Sequence, residues 1–339
     1  MKKLLGYVGN TGVVTEEDAK RLTHINVAFG HLYTDGSIHV DHLNIHERMD
    51  QIRAWNPDIK ILVSLVPLMP EHADAFTACA ASPDLRKKAA QSCVEMVEKY
   101  HFDGVDFDWE YPCVPSNGMS SSPADKENFT LFCQEVRDAL DALGKHYLVT
   151  IAAGADLYYV ESVELPRLAK ILDHICLMTY DLKCGFHALA GHHTALYSST
   201  GDVFRNSCDQ ALRLFHEAGV PKEKLLMGAG FYSRKWEGIA DRNHGLLQIC
   251  KTGGGYGPDY GDLERDYINK NGFVRYWDDE AKAPWLFDGS TFLSYDDEES
   301  LREKCEYVKR EDYGGIFYWE HKCDPSGKLL KTMAETLKA

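Results

Sequence analysis

The sequence predicts an α/β protein folded as a (β/α)8 TIM barrel, and three observations support this. Eight short apolar runs alternate with helical patterns. Polar and aromatic residues gather where those runs end, as expected at the carboxyl face of a barrel. The 339 residues suit one barrel-sized domain with an insertion. The predicted strands are Leu4–Val8, Ile25–Phe29, Ile61–Val66, Val105–Trp109, Leu148–Ala152, Ile175–Thr179, Leu225–Gly230 and Gly315–Trp319.

The helices between these strands have recognisable start and stop signals. A serine before a proline, or paired aspartates before an amphipathic run, are typical helix N-termini. These signals predict helices over Pro83–Tyr100 after Ser82, Pro123–Leu143 after Ser122, and Glu298–Lys309 after Asp296-Asp297, with Gly144 ending the second.

One segment interrupts the alternation. Residues 231–314 separate the seventh and eighth predicted strands, far more than a single helix needs. Within them, residues 237–290 combine consecutive glycines with many aromatic residues, which is typical of short strands and turns. We therefore predict that residues 1–236 and 291–339 form the barrel. Residues 237–290 would form a small α+β insertion subdomain between strand seven and helix seven.

The predicted fourth strand carries an unusual set of carboxylates. Asp106, Asp108 and Glu110 alternate with apolar residues, so they share one face of the strand while Val105, Phe107 and Trp109 share the other. Alternate residues lie roughly 6.6 Å apart, and two charges at that distance repel by about 2.5 kcal/mol at an effective dielectric of about 20. We expect at least one proton to be retained, as a general acid requires.

A purely structural interpretation of this pattern also exists. Alternating carboxylates are usually the wet face of an antiparallel sheet. Here the strand lies between two helical patterns and its other face is strongly apolar, which favours a parallel sheet covered on both sides. The carboxylates then have no wet face to occupy, so the pattern favours catalysis or cation binding.

Charge and cysteine content limit the classes of partner and compartment. A net charge of −15 argues against nucleic acid and anionic membranes as partners, and no segment resembles a membrane span. The ten cysteines include no CxxC pair, so a zinc site is not expected. Cys93, Cys133 and Cys176 fall in predicted helices or strands, where free cysteine acts as a small apolar residue. With no signal peptide evident, we expect a cytoplasmic location.

The run Asp103-Gly-Val-Asp-Phe-Asp-Trp-Glu-Tyr-Pro112 resembles the DxxDxDxE signature of family 18 glycoside hydrolases, the chitinases and their relatives. The resemblance continues through Met178-Thr-Tyr-Asp181, Gly228-Ala-Gly-Phe-Tyr-Ser-Arg234 and Gly314-Gly-Ile-Phe-Tyr-Trp-Glu320, and so covers nearly the whole chain. One departure occurs at the third strand, where the family usually has Ser-x-Gly-Gly and this chain has Ser64-Leu-Val-Pro67. Because that motif is mainly structural in the family, we expect activity to be kept and the non-reducing side of the cleft to change shape.

The resemblance also implies a role for each site residue. Glu110 would protonate the glycosidic oxygen, and the substrate's own acetamido oxygen would attack C1 with retention of configuration. Asp108 would orient the acetamido group, Asp106 would share a proton with Asp108, and Tyr180 would hydrogen-bond the acetamido oxygen. The substrate-binding residues would be Tyr7, Phe29, Trp109, Tyr111, Met178, Asp181, Tyr232, Arg234 and Trp319. Asp103 would be structural, and no metal or other cofactor is implied.

Two other classes of function remain open from the sequence. One is a non-catalytic lectin that binds chitooligosaccharides on the same fold, although such members usually lose the terminal acid that Glu110 supplies. The other is a metal-dependent hydrolase, for which His192-His193 is the only paired-histidine candidate.

The substrate is expected to be an oligo- or polysaccharide containing N-acetylglucosamine, with chitin or chitooligosaccharides first. Peptidoglycan, spore cortex and N-glycans are the alternatives, and the protein is expected to be a monomer.

Overall fold

The computed structural model describes residues 2–116 and 118–339. Met1 and Asn117 belong to the predicted barrel segment 1–236 and lie outside the described residues. The strands are β1 (Lys3–Gly9), β2 (His24–Leu32), β3 (Ile38–His39), β4 (Lys60–Pro67), β5 (Gly104–Asp108), β6 (Leu148–Gly154), β7 (His174–Met178), β8 (Leu225–Gly230), β9 (Tyr232–Glu237), β10 (Gly255–Asp259), β11 (Val274–Asp278), β12 (Ala283–Phe287), β13 (Thr291–Ser294) and β14 (Gly315–Trp319).

Eight parallel strands close into a barrel, as predicted. Their order is β1-β14-β8-β7-β6-β5-β4-β2, and β2 pairs with β1 to complete the ring. Each of these strands corresponds to one of the eight apolar runs, because a strand covered on both faces needs a nearly continuous apolar sequence. The short strand β3 adds an antiparallel hairpin to β2.

The helices are α1 (Glu16–Arg21), α2 (His46–Trp55), α3 (Ala75–Ala81), α4 (Pro83–Tyr100), α5 (Asp125–Asp141), α6 (Leu157–Ser162), α7 (Leu165–Ile171), α8 (Cys208–Glu217), α9 (Tyr260–Asp262), α10 (Glu298–Arg310) and α11 (Lys328–Lys338). Within the described ranges, none of them is long and apolar enough to cross a membrane.

The helix start signals were right in two of three cases. Ser82 caps α4 by accepting from the amide of Leu85, and Asp297 caps α10 through a reciprocal bond with Ser300. Helix α5 begins at Asp125, later than predicted. The Asp125 carboxylate accepts from the amide of Ser122 at 2.8 Å and holds the preceding residues in a turn.

The cysteines behave as apolar core residues at the predicted positions. All ten are free, and Cys93 in α4, Cys133 in α5 and Cys176 in β7 are fully buried. Burial raises the pKa of the Cys93 and Cys133 thiols far above the ordinary value, which makes them inert.

The chain between β8 and α10 forms a second, antiparallel sheet in the order β10-β9-β13-β12-β11. Short strands and turns were expected here, but the sheet runs from Tyr232 to Ser294 and is wider than the predicted segment 237–290. The first strand was missed because only Phe231 separates β8 from β9. The division into two domains stays a prediction. The sheet has its own small core, which contains Trp236, Trp285, Phe287 and Phe292.

A buried ion pair joins this region to the barrel. Lys304 on α10 donates to Asp296 at 2.6 Å and to the Thr194 hydroxyl at 2.8 Å, and both charged side chains are almost fully buried. Ser300 donates to the other Asp296 oxygen at 2.7 Å. These bonds link the end of the second sheet, α10 and the loop that follows β7.

We predict that Lys304→Met destabilises the protein by about 3–5 kcal/mol, because it leaves Asp296 charged and unpaired in the interior. Urea unfolding followed by circular dichroism measures the change. The control is Lys88→Met, which removes the exposed Lys88–Asp35 pair and should change stability by less than about 1 kcal/mol. Equal effects of the two variants would contradict the prediction.

Candidate active site

The three carboxylates of the fourth barrel strand line up from the barrel interior to its rim. Asp106 is fully buried, Asp108 at the end of β5 is 7% exposed, and Glu110 is half-buried just beyond the strand. Their alternation puts them on the face opposite Phe107 and Trp109, as expected. The carboxylate that a substrate can reach most easily is therefore Glu110.

Asp106 is held by three hydroxyl donors from three other strands of the barrel. Tyr7 on β1 and Ser64 on β4 donate to Oδ2 at 2.8 and 2.7 Å, and Thr150 on β6 donates to Oδ1 at 2.6 Å. Burial raises the pKa of Asp106, while the hydrogen bonds from Thr150, Ser64 and Tyr7 lower it. The carboxylate is thus fixed in place and able to hold or release a proton.

Asp108 lies between the other two carboxylates and is much less well satisfied. Its Oδ1 atom is buried and has no hydrogen-bond partner among the residues that the structure describes. Burial, the charge on Glu110 and the charge on Asp106 all raise its pKa well above the ordinary value. A proton shared along this row relieves the repulsion that the sequence predicted.

Glu110 also has a raised pKa. Burial is the largest cause, the Tyr111 hydroxyl lowers the pKa, and the charge on Asp181 raises it. A carboxyl group that keeps its proton towards neutral pH at the rim of a barrel can act as a general acid.

Above Asp108 lies an aromatic pocket at the carboxyl end of the barrel. The Phe29 and Trp319 rings stack at a centroid distance of 5.3 Å, and Tyr7 meets Trp319 at 5.8 Å. On the other side, Tyr180 packs edge-on against Phe317 at 6.0 Å, and Met178 belongs to the same cluster. The pocket walls are therefore apolar while its base is acidic, which suits a sugar ring with polar edges and apolar faces.

An ion-pair network closes one side of the pocket. Asp181 accepts from Arg234 through both oxygens, at 2.6 and 2.5 Å, and from the Tyr232 hydroxyl at 2.8 Å. The Asp181 amide donates to Nδ1 of the buried His193 at 3.3 Å. Burial raises the pKa of Asp181, but His193 and Arg234 outweigh it and hold the pKa well below the usual range. Asp181 is therefore a fixed negative charge.

Trp109 and Tyr111, both predicted to bind substrate, lie in different surroundings. Trp109 is only 1% exposed and stacks on Phe76 at 5.3 Å in the layer between barrel and helices, so substrate cannot contact it and that prediction is corrected. Strand alternation already placed Trp109 opposite the carboxylates. Tyr111 remains at the rim, packed edge-on against Tyr158 at 5.2 Å.

The sequence also singled out Asp103 and the pair His192-His193, and none of these three residues belongs to the acidic row. Asp103 accepts from the Ile61 amide and from Arg53, both at 3.0 Å, at the opposite end of β5, which fits a structural role. His192 and His193 do not act together, because His192 lies 3.2 Å from Asp278 while His193 faces Asp181. No group of three potential metal ligands occurs in residues 2–116 and 118–339.

Sequence reasoning missed three residues that contact carboxylates of the site, two on the strands beside β5 and one in the loop after β7. Ser64, Thr150 and His193 were not predicted as part of the site. Ser64 and Thr150 each interrupt an apolar strand with a hydroxyl group, and that interruption was an available signal. Their common partner, Asp106, could be known only once the strand order was known.

Taken together, the barrel and the acidic row beneath an aromatic pocket define a glycoside hydrolase class of site. The family model for glycosyl hydrolases family 18 matches residues 3–324. The chain belongs to this family.

Known relatives and solved structures agree with that membership. Chitinase A1 of Niallia circulans is 38% identical over 316 residues, which is 87% of this chain and 44% of the relative, so this chain spans less than half of that protein's length. A family 18 N-acetylglucosaminidase from Paenibacillus barengoltzii is 46% identical with a TM-score of 0.95, covering 99% of this chain and 100% of the other. Chitinase ChiW from Paenibacillus sp. is 35% identical with a TM-score of 0.92, and the match covers 99% of this chain and 43% of the other.

We predict that Asp108→Asn raises the melting temperature at pH 7. The raised pKa of Asp108 means that the folded protein binds a proton which the unfolded chain releases above about pH 4. Wild-type stability therefore falls as the pH rises from about 4 towards the folded pKa, and an uncharged asparagine avoids this loss. Scanning calorimetry at pH 7 and pH 4 should show a gain that shrinks at pH 4.

The matched control for this prediction is Asp58→Asn, since Asp58 is an exposed aspartate. This variant should track the wild type at both pH values. A lower melting temperature for Asp108→Asn at pH 7 would mean that the charged form of Asp108 stabilises the fold, contrary to the argument.

Proposed function

We propose that this protein hydrolyses β-1,4 bonds next to N-acetylglucosamine in chitin or chitooligosaccharides, with retention of configuration and with the substrate's acetamido group as nucleophile. The observation that carries the proposal is the row Asp106, Asp108 and Glu110 beneath the aromatic pocket, in which burial raises all three pKa values. Family membership supports the reaction class.

Glu110 acts first as the acid. Its position at the rim lets its proton reach the glycosidic oxygen, and the raised pKa keeps that proton in place before reaction. As the bond between C1 and the glycosidic oxygen breaks, the acetamido carbonyl oxygen forms a bond to C1 and gives an oxazolinium ion. The leaving sugar departs with the proton from Glu110.

In the second step Glu110 acts as the base. Its carboxylate takes a proton from a water molecule that attacks C1, and the bond from C1 to the acetamido oxygen breaks. The sugar is released with its original configuration and Glu110 is protonated again. A separate nucleophilic carboxylate is not required, which distinguishes family 18 from most retaining glycosidases.

Asp108 and Asp106 support the cationic intermediate. A negative charge on Asp108 orients the acetamido N–H and stabilises the positive charge that develops beside it. The Oδ1 atom of Asp108 has no hydrogen-bond partner among the described residues and can accept that N–H bond. Asp106 shares the proton that Asp108 gives up. The hydroxyl groups of Tyr7, Ser64 and Thr150 hold the Asp106 carboxylate in position.

The remaining pocket residues bind the sugar. The ring of Trp319 stacks on the sugar, Tyr7, Phe29 and Met178 form walls, and Tyr180 hydrogen-bonds the acetamido oxygen. Asp181, Tyr232 and Arg234 contact sugar hydroxyls from the side. The chitinase and N-acetylglucosaminidase names of the relatives support N-acetylglucosamine as the sugar, and peptidoglycan and N-glycans remain the alternative sources of it.

We also propose that the protein is a cytoplasmic monomer that acts on soluble oligosaccharides. Ten free cysteines support a reducing compartment, and the charge of −15 favours a neutral sugar over nucleic acid or anionic membrane as partner.

We predict that Glu110→Gln lowers kcat by about 10²- to 10⁴-fold, the usual contribution of a general acid, and leaves oligosaccharide binding intact. Glutamine keeps the size and hydrogen bonding of the side chain but has no acidic proton that it can transfer to the glycosidic oxygen. Release of nitrophenol from a chitobiose glycoside measures kcat, and calorimetric titration with chitotetraose measures binding.

The wild type in the same assay separates the enzyme from the lectin alternative. A wild-type protein that binds chitotetraose but releases no nitrophenol would be a lectin. Normal turnover by Glu110→Gln would remove Glu110 from the role of acid.

We predict that chitotetraose to chitohexaose are cleaved and that the corresponding glucosamine oligomers, which lack the acetyl group, are not. The reason is that without the acetamido oxygen no nucleophile reaches C1. Product analysis by mass spectrometry, with a peptidoglycan digest in parallel, measures both substrate class and product length. Equal cleavage of the glucosamine oligomers would contradict substrate assistance, and cleavage of peptidoglycan alone would select that alternative.

A further inference from the structure

We propose that Tyr256 is a binding platform for the N-acetylglucosamine residue next to the one held in the pocket. This inference rests on the proposed function and adds a preference for longer oligosaccharides. Tyr256 lies on β10, the edge strand of the second sheet, directly opposite Arg234 in the antiparallel register.

The Tyr256 ring is held in one orientation by a cation. The Arg234 guanidinium lies 3.7 Å from the centre of the ring, within the range of a cation–π interaction. Arg234 is itself fixed by two bonds to Asp181, and its Nη1 donates to the carbonyl of Gly254 at 3.3 Å. Tyr256 is therefore attached to the same carboxylate that closes the sugar pocket.

Two glycines allow β10 to approach β9 closely enough for this stacking. A Cβ at Gly254 would lie 2.3 Å from the Trp236 ring, and one at Gly257 would lie 2.4 Å from the Ser233 hydroxyl. Any side chain at either position would push the strand away. Gly254 and Gly257 thus permit the close approach in which the Tyr256 ring stacks on Arg234.

Three tyrosine rings form a continuous path out of the pocket. Tyr180 contacts Tyr232 at a centroid distance of 6.1 Å, and Tyr232 contacts Tyr256 at 5.6 Å. Tyr256 is nevertheless 71% exposed, so one face of its ring meets Arg234 while much of the side chain faces solvent. An isolated exposed tyrosine needs no explanation. A ring fixed by a partly buried ion pair and continuous with the pocket wall is a preorganised surface.

The chemistry of that surface suits a sugar ring. The apolar faces of N-acetylglucosamine and its acetamido methyl group pack on an aromatic ring, and the phenolic hydroxyl can bond a sugar hydroxyl. Because Arg234 already orders the ring, little side-chain entropy is lost on binding.

The test compares Tyr256→Ala with Tyr256→Phe on substrates of different length. We expect Tyr256→Ala to lower kcat/KM for chitotetraose about ten-fold more than it lowers kcat/KM for the nitrophenyl glycoside of a single N-acetylglucosamine. A ten-fold change corresponds to about 1.4 kcal/mol. Tyr256→Phe keeps the ring and should stay within about three-fold of the wild type on both. The effect should be in KM, because Tyr256 does not touch the reacting atoms.

The matched control is Trp277→Ala. Trp277 lies on β11 at the opposite edge of the same sheet, where Arg275 sits 5.3 Å above its ring and is held by Asp297 and Glu299. This variant removes an equivalent aromatic–arginine pair far from Asp181 and should leave the length dependence unchanged.

Binding to a variant that cannot turn over provides a second measurement. Calorimetric titration of chitotetraose into Glu110→Gln and into the double variant Glu110→Gln/Tyr256→Ala should show about ten-fold weaker binding in the latter. An unchanged length dependence in Tyr256→Ala, with a melting temperature equal to the wild type, would overturn the role proposed for Tyr256 and leave the proposed function intact. A wild-type protein that cleaves no N-acetylglucosamine substrate would instead overturn the proposed function.

Discussion

The position of Asp106 at the centre of the barrel is the constraint on which the rest of the site depends. Three hydroxyl groups from β1, β4 and β6 converge on its two oxygens, and such a convergence exists only when the barrel closes. The side chain next to Asp108 on the inner side is therefore another carboxylate, not a cation that could offset the cost of burying its charge. Between two other carboxylates, Asp108 has a raised pKa and one oxygen without a partner in residues 2–116 and 118–339. Unfavourable electrostatics of this kind stay in a fold only when surrounding packing holds them, and they are typical of catalytic centres.

The second sheet complements the acidic row with a positive charge. Arg234 comes from β9 and reaches the Asp181 carboxylate at the end of β7, so the barrel and the sheet share one ion pair at the pocket wall. The buried pair of Lys304 and Asp296 fixes the same region from the α10 side. Both pairs restrict movement of the sheet relative to the barrel. The wall of the pocket is therefore held by bonds from both the barrel and the second sheet.

Most of the barrel could be predicted from the sequence because its signals are local. Continuous apolar runs identify parallel strands, and caps such as Ser82 identify helix starts. Contacts between strands are not local, which explains why Ser64 and Thr150 were missed although they bond Asp106, which the sequence had singled out. The start of α5 was misplaced for a related reason, since Asp125 bonds back to Ser122 and delays the helix. Trp109 was misassigned when motif resemblance was preferred to strand alternation.

The departure from the usual family pattern at Ser64-Leu-Val-Pro67 leaves one contact of the site in place. Ser64, the residue shared with the usual family pattern, donates to Asp106 at 2.7 Å, so the bond that supports the acidic row is retained. The substituted positions are Val66 and Pro67, which pair with His31 and Leu32 at the end of β2. The change is thus confined to the end of β4 and to the rim beyond it. Since Ser64 still donates to Asp106, the departure leaves the acidic row supported, and its effect is limited to the shape of the cleft at the rim.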